Sequence, residues 1–170
     1  MIVSNASPLI YLAKVGKLEL LKIFGEVVIP EEVKVEVVDK GKELEKTDAY
    51  VVENAIKEGW IKVLKADPID IPIKLHSGER AVISLAKKLG VEEILIDERP
   101  ARLVAKHLGL KPRGTVYVLL RALKEGLIDL DDFLNTLSEM IRQGFRLRED
   151  IIVEAIKDAK RIASKREDHS

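Results

Sequence analysis

At 170 residues and 46% apolar content, the chain is long enough to bury one real core and short for two. Its 29 basic and 29 acidic side chains cancel, so no whole-molecule field draws it toward nucleic acid or an anionic membrane, and any such contact must be local. The absence of cysteine excludes disulfides, thiolate metal sites and cysteine nucleophiles.

Short β-branched runs at residues 2–4, 27–29, 61–64 and 94–96 alternate with stretches of helical spacing at 9–15, 18–24, 31–38, 49–58, 79–89 and 101–108. This alternation predicts βαβ units and a mostly parallel sheet. Pro30 suits the first turn of a helix, and Gly90 and Gly109 follow periodic segments as helix stops. After Gly114 the pattern is wholly helical, near 117–124, 131–142 and 150–164, with breaks at Gly126 and Gly144. A single domain is expected over residues 1–164, with 165–170 a polar tail. The opening MIVSNASPLI lacks a basic n-region and a continuous apolar segment, and no later run approaches about 18 apolar residues, so a soluble, cytoplasmic protein without membrane association is expected. Charged residues make up 34% of the chain against a single glutamine, a composition associated with heat-adapted proteins.

Ligands of open parallel sheets bind outside the carboxyl ends of the strands, which directs attention to the polar residues that follow each run. The first strand leads into Ser4, Asn5 and Ser7, the fourth into Asp97 and Glu98, and Ser77-Gly78-Glu79 opens the helix before it. If these ends are neighbours, Glu79, Asp97, Glu98 and Asn5 converge as oxygen donors of the kind that Mg2+ or Mn2+ prefers. Each residue also has a plainer role. Glu79 complements a helix dipole, Asp97 and Glu98 form a solvated turn or cap a helix near Pro100, and Asn5 and Ser7 cap the first helix ahead of Pro8. Glu31 and Glu32 decorate a helical first turn, while Glu36 is ambiguous, one turn further on and able to face the sheet edge. His76 and His107 are too isolated for a zinc site. Arg99, Arg102, Lys106, Lys111 and Arg113 form a local basic cluster, either a solvated helix face or a holder of phosphates, with Arg102 and Arg99 the phosphate-binding candidates. Dinucleotide, Walker A and nucleophile-elbow motifs are missing.

The motifs Val3-Ser4-Asn5-Ala6-Ser7-Pro8-Leu9-Ile10, Ser77-Gly78-Glu79-Arg80-Ala81-Val82, Ile96-Asp97-Glu98-Arg99-Pro100-Ala101-Arg102 and Arg113-Gly114-Thr115, with Gly144-Phe145-Arg146 before a final helix, together resemble the PIN domain, in a prokaryotic branch close to the VapC-type toxin ribonucleases. The order and spacing of the motifs carry the resemblance, over nearly the whole chain. It implies a three-layer α/β/α fold with a mostly parallel central sheet of four or five strands and a helical C-terminal part. It further implies a nuclease in which clustered acids hold Mg2+ or Mn2+ and activate water against RNA. By position, Glu79 and Asp97 match the family's metal-binding acids, Glu98 is a further candidate, and Thr115 matches a supporting hydroxyl. Ser7 is a second supporting candidate. Asn5 stands where PIN nucleases usually have their first aspartate. A neutral amide ligates a cation more weakly and cannot serve as a carboxylate base.

Two readings therefore stand side by side. One is a metal-dependent endoribonuclease with Glu79, Asp97 and Asn5 as catalytic residues, the toxin of a toxin–antitoxin pair whose antitoxin is encoded separately. The other is a weak or inactive PIN-fold module that binds RNA or protein. A phosphatase or receiver-like domain is a third and weaker reading, because Asn5 stands where an aspartate nucleophile would be required. Apolar helical segments at 10–24 and 116–123, together with the pairing habits of PIN relatives, lead to an expected homodimer.

Overall fold

The computed structural model describes residues 1–168, which form two compact units, Met1–Thr115 and a second beginning at Val116. The first unit holds a five-stranded sheet made of β1 (Ile2–Ser4), β2 (Val27–Pro30), β3 (Ile61–Leu64), β4 (Glu93–Leu95) and β5 (Lys111–Arg113). The strand order is β3-β2-β1-β4-β5 and every pairing is parallel. Every residue of β1 and β2 is buried, as expected for strands covered on both faces, whereas β3 at one edge alternates between burial and exposure.

The crossovers carry α1 (Ala6–Lys14), a 3-10 helix (Leu18–Phe24), α2 (Glu31–Lys34), α3 (Lys40–Glu43), α4 (Thr47–Glu58), α5 (Ser77–Leu89) and α6 (Arg99–His107). From β1 the chain steps outward through β2 to β3, then returns to β4 and steps the other way to β5. Right-handed crossovers in opposite directions put helices on both faces, giving the three-layer arrangement expected from the sequence. α5 packs on β1, β2 and β4 through Ala81, Val82, Ile83, Leu85 and Ala86. The reversal falls between β1 and β4, and their register, Val3 opposite Ile94 and Ser4 opposite Leu95, aligns their carboxyl ends.

Four local features differ from the sequence-based expectation. Residues 18–24 wind as a 3-10 helix between Gly16 and Gly25, both at positive φ, a span too short to favour a regular α-helix. The helix expected over 31–38 widens into a π-turn at Val35–Asp39 and continues as α3. A fifth strand was allowed for but not placed at 111–113, because three residues with Pro112 in the middle read poorly as a strand, yet at the sheet edge the missing amide is tolerated. The final helix runs on to Asp168, so residues 165–168 of the expected tail are helical. Their Lys, Arg and Glu side chains favour helix, and Arg166 Nη1 donates to the Leu123 carbonyl at 3.0 Å. Residues 169–170 of that tail lie outside the described residues.

The second unit comprises most of α7 (Thr115–Lys124) with α8 (Leu130–Arg142) and α9 (Glu149–Asp168). Phe133, Leu137 and Met140 form the buried face of α8, and Asp129 caps that helix by accepting from the Asp132 amide at 2.7 Å. Among the described residues no helix is long and apolar enough to cross a membrane.

Candidate active site

The backbone ties the carboxyl ends of three strands together. The Asn5 amide donates to the Leu95 carbonyl at 2.8 Å, and the Ile96 amide donates to Arg113 at 2.9 Å. Asn5 therefore follows β1 beside Asp97 and Glu98, which follow β4, and Gly114-Thr115 follows β5 alongside.

Asp97 is gripped by Thr115. The Thr115 amide donates to Oδ1 at 2.8 Å and its hydroxyl to Oδ2 at 2.7 Å, so Asp97 takes the place of a capping side chain at the start of α7. A Cβ at Gly114 would stand 3.1 Å from Asp97 Oδ1 and 3.4 Å from Arg102 Nη1, so a glycine there leaves room for both groups. Arg102 in turn donates Nη1 to the Ile96 carbonyl at 2.9 Å. Arg99 lies exposed at the start of α6.

Glu79 is buried and accepts from the His76 amide at 3.1 Å through Oε1, so its helix-start role is met by one oxygen. Asn5 is also buried, but its side chain makes no capping bond to α1. Its Nδ2 instead donates to Glu98 Oε2 at 3.5 Å. Glu98 likewise caps nothing, although it occupies the N-cap position of α6. Although Glu98 is exposed as a residue, its carboxyl is held above the ordinary glutamate range, first by desolvation among its neighbours and then by the charges of Asp97, Glu79 and Glu36, against an opposing backbone hydrogen bond.

Glu36 is the residue that sequence reasoning left undecided. It lies on the π-turn, and a Cβ at Gly78 would stand 3.4 Å from Glu36 Oε2 and 3.3 Å from Asn5 Oδ1. The absent side chain of Gly78 lets these two oxygens approach the same space. Glu36, Asn5, Ser7, Glu79 and Glu98 all line one cleft of about 340 Å3. The i, i+4 spacing from Glu32 was the available signal, but it marks a helix face and not what that face meets. The π-turn aims the residue, and no pattern in the sequence announces one.

The donor set is all oxygen, and its negative fields overlap at Glu98, which suits a hard divalent cation. Among the described residues, however, no three His, Cys, Asp or Glu side chains stand together closely enough to hold a metal ion. Thr115 donates to both Asp97 oxygens, and the His76 amide donates to one oxygen of Glu79. Joint ligation by Glu79, Asp97 and Glu98 is therefore not preassembled in this structure.

Comparison with family models matches residues 1–161 to DUF3368, described as a PIN domain. Neither the comparison with curated proteins nor that with solved structures found a match.

Proposed function

The chain belongs to the PIN-domain family, and on that footing we propose that it is a metal-dependent endoribonuclease that hydrolyses RNA phosphodiesters at the cleft beyond β1 and β4. The observation that carries this reading is the meeting of Asn5, Glu79, Asp97 and Glu98 at the point where the sheet reverses direction, the place where open parallel sheets bind their ligands. Glu79, Asp97 and Glu98 would hold Mg2+ or Mn2+, with the Asn5 carbonyl and Glu36 beside them. Such an ion supplies a Lewis acid for the phosphodiester and acidifies a bound water.

The chain's own groups have distinct parts in this scheme. Thr115 fixes the direction of Asp97 with two donors. Glu98, with the Asn5 amide beside it, is placed to be the third carboxylate for that ion. Asn5 orients and ligates without adding charge, and Ser7 stands in the same cleft as a polar support. Arg102 and Arg99 are the groups proposed to meet phosphate on the Gly114 side. From the resemblance of its motifs to the VapC-type branch, the biological setting proposed is a cytoplasmic toxin, acting as a homodimer and restrained by a separately encoded antitoxin.

The test is cleavage of labelled single-stranded and structured RNAs in Mn2+ or Mg2+ by wild type, Asp97→Asn and Glu79→Gln, with a chelator control. Cleavage that needs metal and disappears in both variants sustains the reading, and equal behaviour of all three proteins overturns it. A second reading, a PIN-fold module that binds without turnover, is favoured by the neutral Asn5 and the unassembled ligand set. It is separated from the first by Asn5→Asp: cleavage gained only in that variant would make the natural chain a binder.

A further inference from the structure

The cleft that holds the acidic residues also holds two lysines, Lys14 at the end of α1 and Lys46 at the N-cap of α4. Elsewhere lysines are routinely paired: Lys34 meets Asp39, Lys42 meets Glu53 and Lys88 meets Asp67, each within 2.9 Å. Lys14 and Lys46 form no ion pair with any described residue, although Glu36, Glu79 and Glu98 line the same cleft. The Lys14 ammonium lies instead 5.5 Å from the centroid of the Tyr11 ring, which shares the wall with Ile10.

Lys46 is held by a built turn. Glu45 before it adopts φ 55°, a left-handed conformation uncommon for a side chain of that kind, and the Lys46 amide donates to the Gly41 carbonyl at 2.9 Å. Gly41 itself packs so closely on α4 that a Cβ there would stand 2.7 Å from Ala49 Cβ. The approach of α3 to α4 thus fixes where this lysine leaves the backbone.

We propose that Lys14 and Lys46 are phosphate-binding residues for a single-stranded RNA lying along this cleft, with the Tyr11 ring as the surface on which an unpaired base rests. The proposal deepens the nuclease reading and rests on it for the choice of RNA. A polyanion approaching an acidic floor is repelled unless cations meet its neighbouring phosphates, and in a protein of zero net charge those cations must be local. Single strands satisfy both halves of the wall, since their bases can splay onto an aromatic ring. In an A-form duplex the bases are stacked away and the ring has nothing to meet.

The experiment measures binding separately from cleavage, by fluorescence anisotropy of a labelled 12-nucleotide RNA of mixed sequence, as a single strand and as a duplex, across a salt series. Lys14→Gln/Lys46→Gln is expected to weaken single-strand binding about tenfold or more and to flatten the log–log salt slope by about 1.4, the amount for two phosphate contacts. Lys14→Arg/Lys46→Arg is expected to keep both, and Tyr11→Leu to weaken the single strand more than the duplex. Unchanged affinity and slope in the glutamine variant, duplex binding as tight as single-strand binding, or no binding by wild type would each overturn the proposal. Binding that depends on the lysines without any cleavage would leave it standing while removing the nuclease reading. Cleavage by a protein whose binding ignores both lysines would do the reverse.

Discussion

Thr115 shows how one residue can decide what a neighbouring carboxylate is able to do. Its two donors hold Asp97 in a single orientation, and one of them can be removed without disturbing the backbone. Thr115→Val, nearly the same shape, is expected to cost about 1–2 kcal/mol in denaturant unfolding, because a charge-assisted hydrogen bond is lost beside a carboxylate that stays in place. Glu98 gives the opposite sign. A carboxyl whose proton affinity is higher in the folded than in the unfolded chain favours the fold when protonated, and that contribution is lost as pH rises through its folded pKa. In metal-free protein, Glu98→Gln is therefore expected to raise Tm by about 1–2 °C at pH 8. The difference should vanish below about pH 3, where the carboxyl is protonated in both states. Thermal melts across that range check it, and a variant that is less stable at pH 8 would contradict it.

At the scale of elements, the site depends on glycines at the starts of helices as much as on acids at the ends of strands. Gly114→Ala would force a Cβ against Asp97 Oδ1 and Arg102 while Thr115 still holds the carboxylate from the other side. A displacement of this kind is expected to lower RNA cleavage about tenfold with little change in the far-UV spectrum. The elements were legible in the sequence where one period dominated: the runs at 2–4 and 61–64 have the bounds of β1 and β3, and the acids at 79, 97 and 98 stand at the element ends foreseen for them. What was not legible has physical causes. Pro112 hides β5, the π-turn shifts Glu36 off the helical period, and Lys14 and Lys46 line one cleft only because α1 and α4 come together in space. Capping roles were also hard to assign from spacing, since Asp97 serves the helix that begins at Thr115 and not the one beginning two residues after it.

For the molecule as a whole, balanced charge conceals an acidic pole, with the charges of Asp97, Glu79 and Glu36 all acting on Glu98 at one end of the sheet. Any ion that binds there binds the folded chain alone and must stabilise it by mass action. Mg2+ or Mn2+ at about a hundred times its Kd is expected to add about 2.7 kcal/mol, seen as a rise in Tm that Glu79→Gln largely abolishes. Magnesium and manganese titrations followed by calorimetry check this without reference to turnover, and a melting temperature indifferent to both ions would contradict it.

The central position of β1 also bears on when such a site can exist at all. Ser4 pairs with Leu95, about ninety residues further along the chain, and the grip on Asp97 waits for Thr115. During synthesis at roughly 5–20 residues per second, β1 is exposed for several seconds before its second neighbour emerges. A nascent chain shorter than about 115 residues lacks Thr115 and with it the grip on Asp97, so any chemistry at this site begins only after the chain has cleared much of its own path through the ribosome.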